Sequence, residues 1–128
     1  MLSPGLDNIT ELLGTFLDVQ SRRAQVVAGN LANADTPGYA AKEIRFDDFL
    51  KNAAEQSLAS SSGSNQPGSV SSIEIVEQDP TAVGIDGNTV DPAREMSNLA
   101  EAGMKYLEGT QLLQMRLRTL RTAIREGK

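Results

Sequence analysis

The chain has 128 residues, 39% of them apolar but only 4% aromatic, and its formal net charge is −5. That length suits one domain with one modest core, and so few aromatics fit helices laid side by side. Without Cys, His or Trp the chain can form neither a disulfide scaffold nor a thiolate metal site, and any catalysis would fall to carboxylates, Lys, Ser or Tyr rather than to imidazole.

No apolar run reaches the roughly 18 residues of a membrane span. Met1–Asp7 lacks the basic start and apolar stretch of an ordinary secretory signal. From there, Leu6, Ile9, Leu13, Phe16, Gln20, Ala24, Val27, Leu31 and Ala34 advance in steps of three and four, the seam of an amphipathic helix. Ser3-Pro4 reads as an N-cap followed by Pro at the first helical position, which predicts a helix over residues 1–34. From Leu6 to Ala34 it would run about 43 Å. Leu12, Val19 and Val26 widen the apolar face. Gly14 and Gly29 each weaken a helix by about 1 kcal/mol relative to Ala and could instead admit a second helix at close range.

The segment Asn30-Leu31-Ala32-Asn33-Ala34-Asp35-Thr36-Pro37-Gly38-Tyr39 stops that helix. Asn33 stands where a C-cap belongs, and Asn tolerates the left-handed backbone usual there. Thr36 precedes a proline and is pushed to extended geometry. Pro37-Gly38 fits the centre of a type II turn from Thr36 to Tyr39. Asn30 and Asn33 fall on one helix face, and Tyr39 is the kind of amphipathic anchor enriched at interfaces. A plain helix stop explains Asn33 and Pro37-Gly38, but not why Asn30, Asp35 and Tyr39 accompany them. Residues 35–55 are expected to form the turn and an extended crossing segment, in which Ile44, Phe46, Phe49 and Leu50 supply an apolar side and Asp47-Asp48 face solvent.

Residues 56–73 carry no charge, and eight of the sixteen residues from Ser57 to Ser72 are Ser. This is the composition of a flexible linker. Over residues 73–91, Ile73, Ile75 and Val76 predict a short strand. Val83, Ile85, Asp86-Gly87, Thr89 and Val90 predict a small hairpin with a type I′ turn.

Asp91-Pro92 reads as N-cap and first helical residue, opening a helix over 92–128. Met96, Leu99, Gly103, Tyr106, Thr110, Leu113, Leu117, Leu120 and Ile124 alternate by three and four without a break, the repeat of a left-handed supercoil. Met104, Leu107, Leu112 and Met115 are apolar as well and lie off that seam. A two-helix hairpin buries one seam and leaves the flanking stripes uncovered. At about 1.5–3 kcal/mol per buried Leu or Ile, that predicts association with other chains. Arg116, Arg118, Arg121, Arg125 and Lys128 against Glu126 give the last thirteen residues a charge of +4, leaving −9 on the rest. Cations favour a helix C-terminus, and the stripe can also meet an acidic neighbour. It is too short and too free of aromatics for nucleic acid.

The expected fold class is mainly α: long N- and C-terminal helices packed as an antiparallel coiled-coil-like pair, a short irregular or β-hairpin middle segment, and a flexible Ser-rich linker. Together they make one structural domain.

The segment from Asn30 to Tyr39 resembles the N-terminal signature of the bacterial flagellar rod, hook and hook-associated axial proteins. Phe46-Asp47-Asp48-Phe49, the motif Asp86-Gly87-Asn88-Thr89-Val90-Asp91 before the last helix, and the C-terminal heptads are most similar to the branch of small proximal rod subunits. Leu31 replaces a common Ile or Val, and Ala40-Ala41 stand where a basic residue often follows the Tyr. The resemblance implies a structural subunit of the basal-body rod, required for motility and built into a helical tube with other copies and sister rod subunits. It further implies contact with the rod-base adaptor and with inner-membrane ring or export-gate proteins, and delivery to the periplasmic rod by flagellar type III export without a cleaved signal. Neither cofactor, metal, nucleic acid nor membrane span belongs to this reading. The residues expected to serve assembly are Asn30, Asn33, Asp35, Pro37, Gly38 and Tyr39, with Leu13, Phe16, Val27, Leu99, Tyr106, Leu113, Leu117, Leu120 and Ile124 on the helices.

Two other functional classes fit the sequence less well. Asp35-Thr36-Pro37-Gly38 superficially matches an aspartic-protease loop, but the Pro breaks it and no second carboxylate copy exists. Asp86–Asp91 imitates a calcium loop, yet it has Val90 at a ligand position and lacks the sixth-position Gly. A soluble helical adaptor or export chaperone forming a discrete dimer would use the heptads equally well, but it does not predict the turn-plus-Tyr module.

Overall fold

A computed structural model describes residues 4–46 and 73–127, with side chains in the first helix from residue 9 onward. Two long helices dominate: α1 (Pro4–Ala32) and α2 (Pro92–Glu126). Between them, β1 (Lys42–Ile44) pairs antiparallel with β2 (Ile75–Glu77), setting Lys42 opposite Glu77, Glu43 opposite Val76 and Ile44 opposite Ile75. Gln78 N–H donates to Ala41 O at 2.7 Å and extends this ladder by one bond. Ser3, the Ser-rich stretch 56–72, and Asp47, Asp48, Phe49 and Leu50 lie outside the described residues.

Helix α2 starts as its sequence directs. Asp91 is extended at φ −99°, and its side chain accepts from Ala93 N and Arg94 N, with Pro92 following. This satisfies two of the amides that a helix start leaves free. The helices run antiparallel: Phe16 and Leu17 lie against Gly109, Arg23 meets Glu101, and Asn30 meets Glu95.

The helix contact uses a seam one residue away from the one that hydrophobic periodicity selects. On α2 the buried residues are Glu95, Ala102 and Gly109, spaced by seven. Leu99, Leu113 and Leu120 are half-buried beside them. The expected members Met96, Leu117 and Ile124 instead face outward, with exposures of 64%, 47% and 59%, and Tyr106 is also exposed. The reason is steric. A Cβ at Gly109 would come within 2.8 Å of Leu17 Cδ2 and 3.1 Å of Phe16 Cδ1. Small residues at 102 and 109 therefore let α1 approach where a larger side chain would hold it off. Gly14 and Gly29, read as sites of close approach, have nothing within 4 Å of the same construction. On α1, Val19, Gln20, Val27 and Asn30 are buried, Leu13 and Phe16 half-buried.

Two local expectations give way. No described non-glycine residue has positive φ, so Asn33 does not take the left-handed cap. Its side chain does the capping instead, with Nδ2 donating to Gly29 O at 2.8 Å. The turn at residues 84–87 is not type I′, because Asp86 keeps negative φ. It closes through Gly87 N to Gly84 O, with Gly87 at φ +80°, while Gly84 N bonds Asn88 O. That arrangement absorbs the left-handed residue after the turn. The strand at 75–77 pairs with β1 rather than with the segment after this turn.

Candidate functional site: the junction that closes the helix pair

At the closed end of the pair, the segment after α1 and the segment before α2 lock onto each other. Thr36-Pro37-Gly38-Tyr39 turns through Tyr39 N to Thr36 O at 3.3 Å, and Gly38 sits at φ +70° as the third residue of a type II turn requires. The chain leaving that turn is held by the loop 84–90. Gly38 N donates to Asp86 O (2.9 Å), Thr89 N to Tyr39 O (3.0 Å), and Ala41 N to Thr89 Oγ1 (2.9 Å). The two positive-φ glycines stack: a Cβ at Gly87 would lie 3.6 Å from Gly38 Cα.

Asn88 is the clamp. Its buried amide donates from Nδ2 to the carbonyls of Asn33 (2.9 Å), Ala34 (3.0 Å) and Thr36 (2.8 Å). These carbonyls belong to the turn residues that follow α1. The same side chain accepts from Val90 N at 2.8 Å through Oδ1.

Beneath it lies a second polar cluster. Asn30 is completely buried. Its Nδ2 donates to Lys42 O (2.8 Å) and to Glu95 Oε2 (2.9 Å), and its Oδ1 accepts from Lys42 N (2.9 Å). Tyr39 OH lies 3.5 Å from the same Oδ1, at the outer limit of a hydrogen bond. Glu95, also fully buried, accepts from Gln78 Nε2 at 3.2 Å through its other oxygen. One cluster thereby joins α1, both strand segments and the first turn of α2.

Asn30, Asn33, Gly38 and Tyr39 thus come together in the junction, whereas Asp35 and Pro37 are exposed on its surface. Leu13, Phe16, Val27, Leu99, Leu113 and Leu120 lie along the helix contact, and Tyr106, Leu117 and Ile124 look outward. The sequence gives no site role to Gln78, Glu95 and Gly109, and marks Asn88 only as part of the motif Asp86–Asp91. The legible signals for two of them were a charged residue one step from a heptad position and a glycine inside a long helix.

Further along the pair, Glu101 receives Lys105 Nζ at 2.6 Å and Arg23 Nη2 at 3.4 Å. The Lys105 hydrogen bond, followed by the Arg23 charge, holds its carboxyl below the ordinary range. A groove of about 460 Å³ beside this cluster is walled by Phe16, Val26, Ile44 and Phe46, with charges of both signs at its rim. Among the described residues no group of three potential metal ligands converges, and no helix is long and apolar enough to cross a membrane. The outward face of α2 exposes Met96, Met104, Leu107, Leu112, Met115, Leu117 and Ile124.

The family described as "Flagella basal body rod protein" matches residues 17–39, the second half of α1 and the junction turn through Tyr39. Over 122 residues the chain is 30% identical to the flagellar basal body rod protein FlgB of Salmonella typhimurium, covering 87% of this chain and 88% of that one. It is 32% identical over 118 residues to FlgB of Aeromonas hydrophila (85% and 86%), and 29% identical over 133 residues to FlgB of Yersinia enterocolitica (95% and 97%).

Proposed function

The chain belongs to the flagellar basal body rod proteins, and from that membership we propose that it is the small proximal rod subunit, joined to its neighbours through the outward face of α2 while the junction holds the helix pair in shape. As a member of this family it is a structural component of the flagellar basal body and serves motility. The observation that carries the finer reading is the row of exposed apolar side chains on α2. Thirteen large hydrophobic residues of the described chain are exposed, too many for a lone subunit with so small a core. Side-by-side packing of helices in a tube covers them. An interface that does not close on itself extends into a helical assembly.

On this reading, the partners are other copies of the chain and sister rod subunits, with the rod-base adaptor and the inner-membrane ring or export gate at one end. Export through the flagellar type III apparatus to the periplasmic rod fits a chain without Cys, whose helices gain most of their stability only on packing. The role is scaffolding, and the junction's buried polar groups, bonded to each other and to backbone, serve to hold the helix pair in shape.

Deleting the coding sequence in its own host tests the proposal. Motility should vanish and basal bodies should lack a complete rod. A plasmid copy should restore both, and a copy carrying Leu117→Asp should not. Normal rods in the deletion strain would refute the assignment.

A further inference from the structure

Two seams compete along α2, and they share the half-buried Leu99, Leu113 and Leu120. The seam in use adds Glu95, Ala102, Gly109 and Arg116. The alternative adds Met96, Gly103, Thr110 and Leu117. One residue is about 100° of rotation about a helix axis, so a modest turn of α2 exchanges the two sets. Burial of apolar area alone favours the alternative, because Met96 and Leu117 would replace a carboxylate and a guanidinium. The seam in use even leaves Nε and Nη2 of Arg116 buried without a hydrogen-bond partner among the described residues.

Beyond the close approach that Ala102 and Gly109 allow, what ties α2 to the chosen seam is Glu95. Its carboxylate, with no exposed surface, accepts from Asn30 on α1 and from Gln78 after β2. Asn30 cannot follow a rotation of α2, because both ends of its amide are tied to the backbone of Lys42. Turning α2 by one residue would withdraw the carboxylate and leave a buried Gln78 amide without it. Single buried polar contacts within an apolar seam are well-attested determinants of helix register. We infer that Glu95 is a specificity-determining residue that sets the rotation of α2 against α1 and so keeps Met96, Leu117 and Ile124 on the outer face. What that face is for rests on the rod reading; the register itself is a property of the single chain.

The absence of Cys makes paired cysteines clean reporters in the full chain. Leu17→Cys with Gly109→Cys reports the seam in use, and removing Leu17 also removes the methyl group nearest a Cβ at 109. Leu17→Cys with Thr110→Cys reports the alternative. Oxidation should favour the 17–109 pair in the parent chain. Glu95→Leu should shift the ratio towards 17–110 by about tenfold or more, the scale of a hydrogen bond to a charged group. Glu95→Gln, which keeps the length and one accepting oxygen, should retain the parent preference. An unchanged ratio in Glu95→Leu overturns the inference, as does equal crosslinking of both pairs in the parent. Loss of both crosslinks in Glu95→Leu overturns it too, since Glu95 would then serve stability alone. Sedimentation of the same variants separates this inference from the rod reading: a shifted register with undiminished assembly upholds Glu95's role and contradicts the use of the outer face.

Discussion

Asn88 reaches three carbonyls with one amide, and this makes it the most exposed point of failure in the junction. In Asn88→Ala the carbonyls of Asn33, Ala34 and Thr36 lose the side-chain donor they share. Asn33 O and Thr36 O keep the backbone N–H of Thr36 and Tyr39, whereas Ala34 O loses its Asn88 partner, and a buried unpaired polar group costs about 1–3 kcal/mol. Denaturant unfolding of the variant should show a loss of that order. Asn30→Asp should be worse than Asn30→Ala, because it sets a second carboxylate against fully buried Glu95 and removes the donor that Glu95 accepts from. The comparison is again by denaturant midpoint. By contrast, Tyr39→Phe should change little in the single chain, since its hydroxyl contact is 3.5 Å long; any large effect would have to arise in the assembly. At this scale the sequence was partly legible. The Pro37-Gly38 turn follows from chemistry that acts within four residues. Asn88 reaches carbonyls 52 to 55 residues away and Glu95 meets Asn30 across 65 residues, and no local rule reports such pairings.

At the scale of the elements, both helices and the N-cap of α2 could be read from periodicity and from Asp91-Pro92. The seam could not, because periodicity weighs apolarity while the packed pair is governed by how closely α1 can approach. Gly103 and Gly109 separate these effects. Gly103 is exposed with nothing within 4 Å of a Cβ, so Gly103→Ala should stabilise α2 by up to about 1 kcal/mol through helix propensity, seen as a higher melting temperature. Gly109→Val gains some propensity but forces its side chain into Leu17 and Phe16, and should lower the melting temperature. The cluster around Glu101 adds a pH dependence with a definite sign. Its folded pKa is depressed, so its contribution is present above the ordinary carboxylate value and fades as pH falls through the lowered one. Glu101→Gln should therefore be less stable than the parent at neutral pH and equal to it in acid. The difference should be about 1 kcal/mol or less, because the carboxylate is largely solvated.

At the scale of the whole molecule, the described residues bury polar side chains beside a few apolar ones and leave many large apolar side chains exposed, unlike an autonomous globule. Few side chains are fully buried, and several of these are polar. The stripe Met104, Leu107, Leu112 and Met115, off the periodic seam in the sequence, is exposed on α2. The strand pairing of 42–44 with 75–77 was the least legible feature, since it joins short segments across an intervening stretch of the chain. The proposed rod packing requires the outer face of α2 to be an assembly surface. Sedimentation velocity of the purified full chain, with and without its sister rod subunits, tests this most directly. The prediction is a weakly associating species alone, large open-ended assemblies once the sisters are added, and loss of those assemblies in Leu117→Asp. A discrete dimer that ignores the sister subunits and survives Leu117→Asp would contradict it.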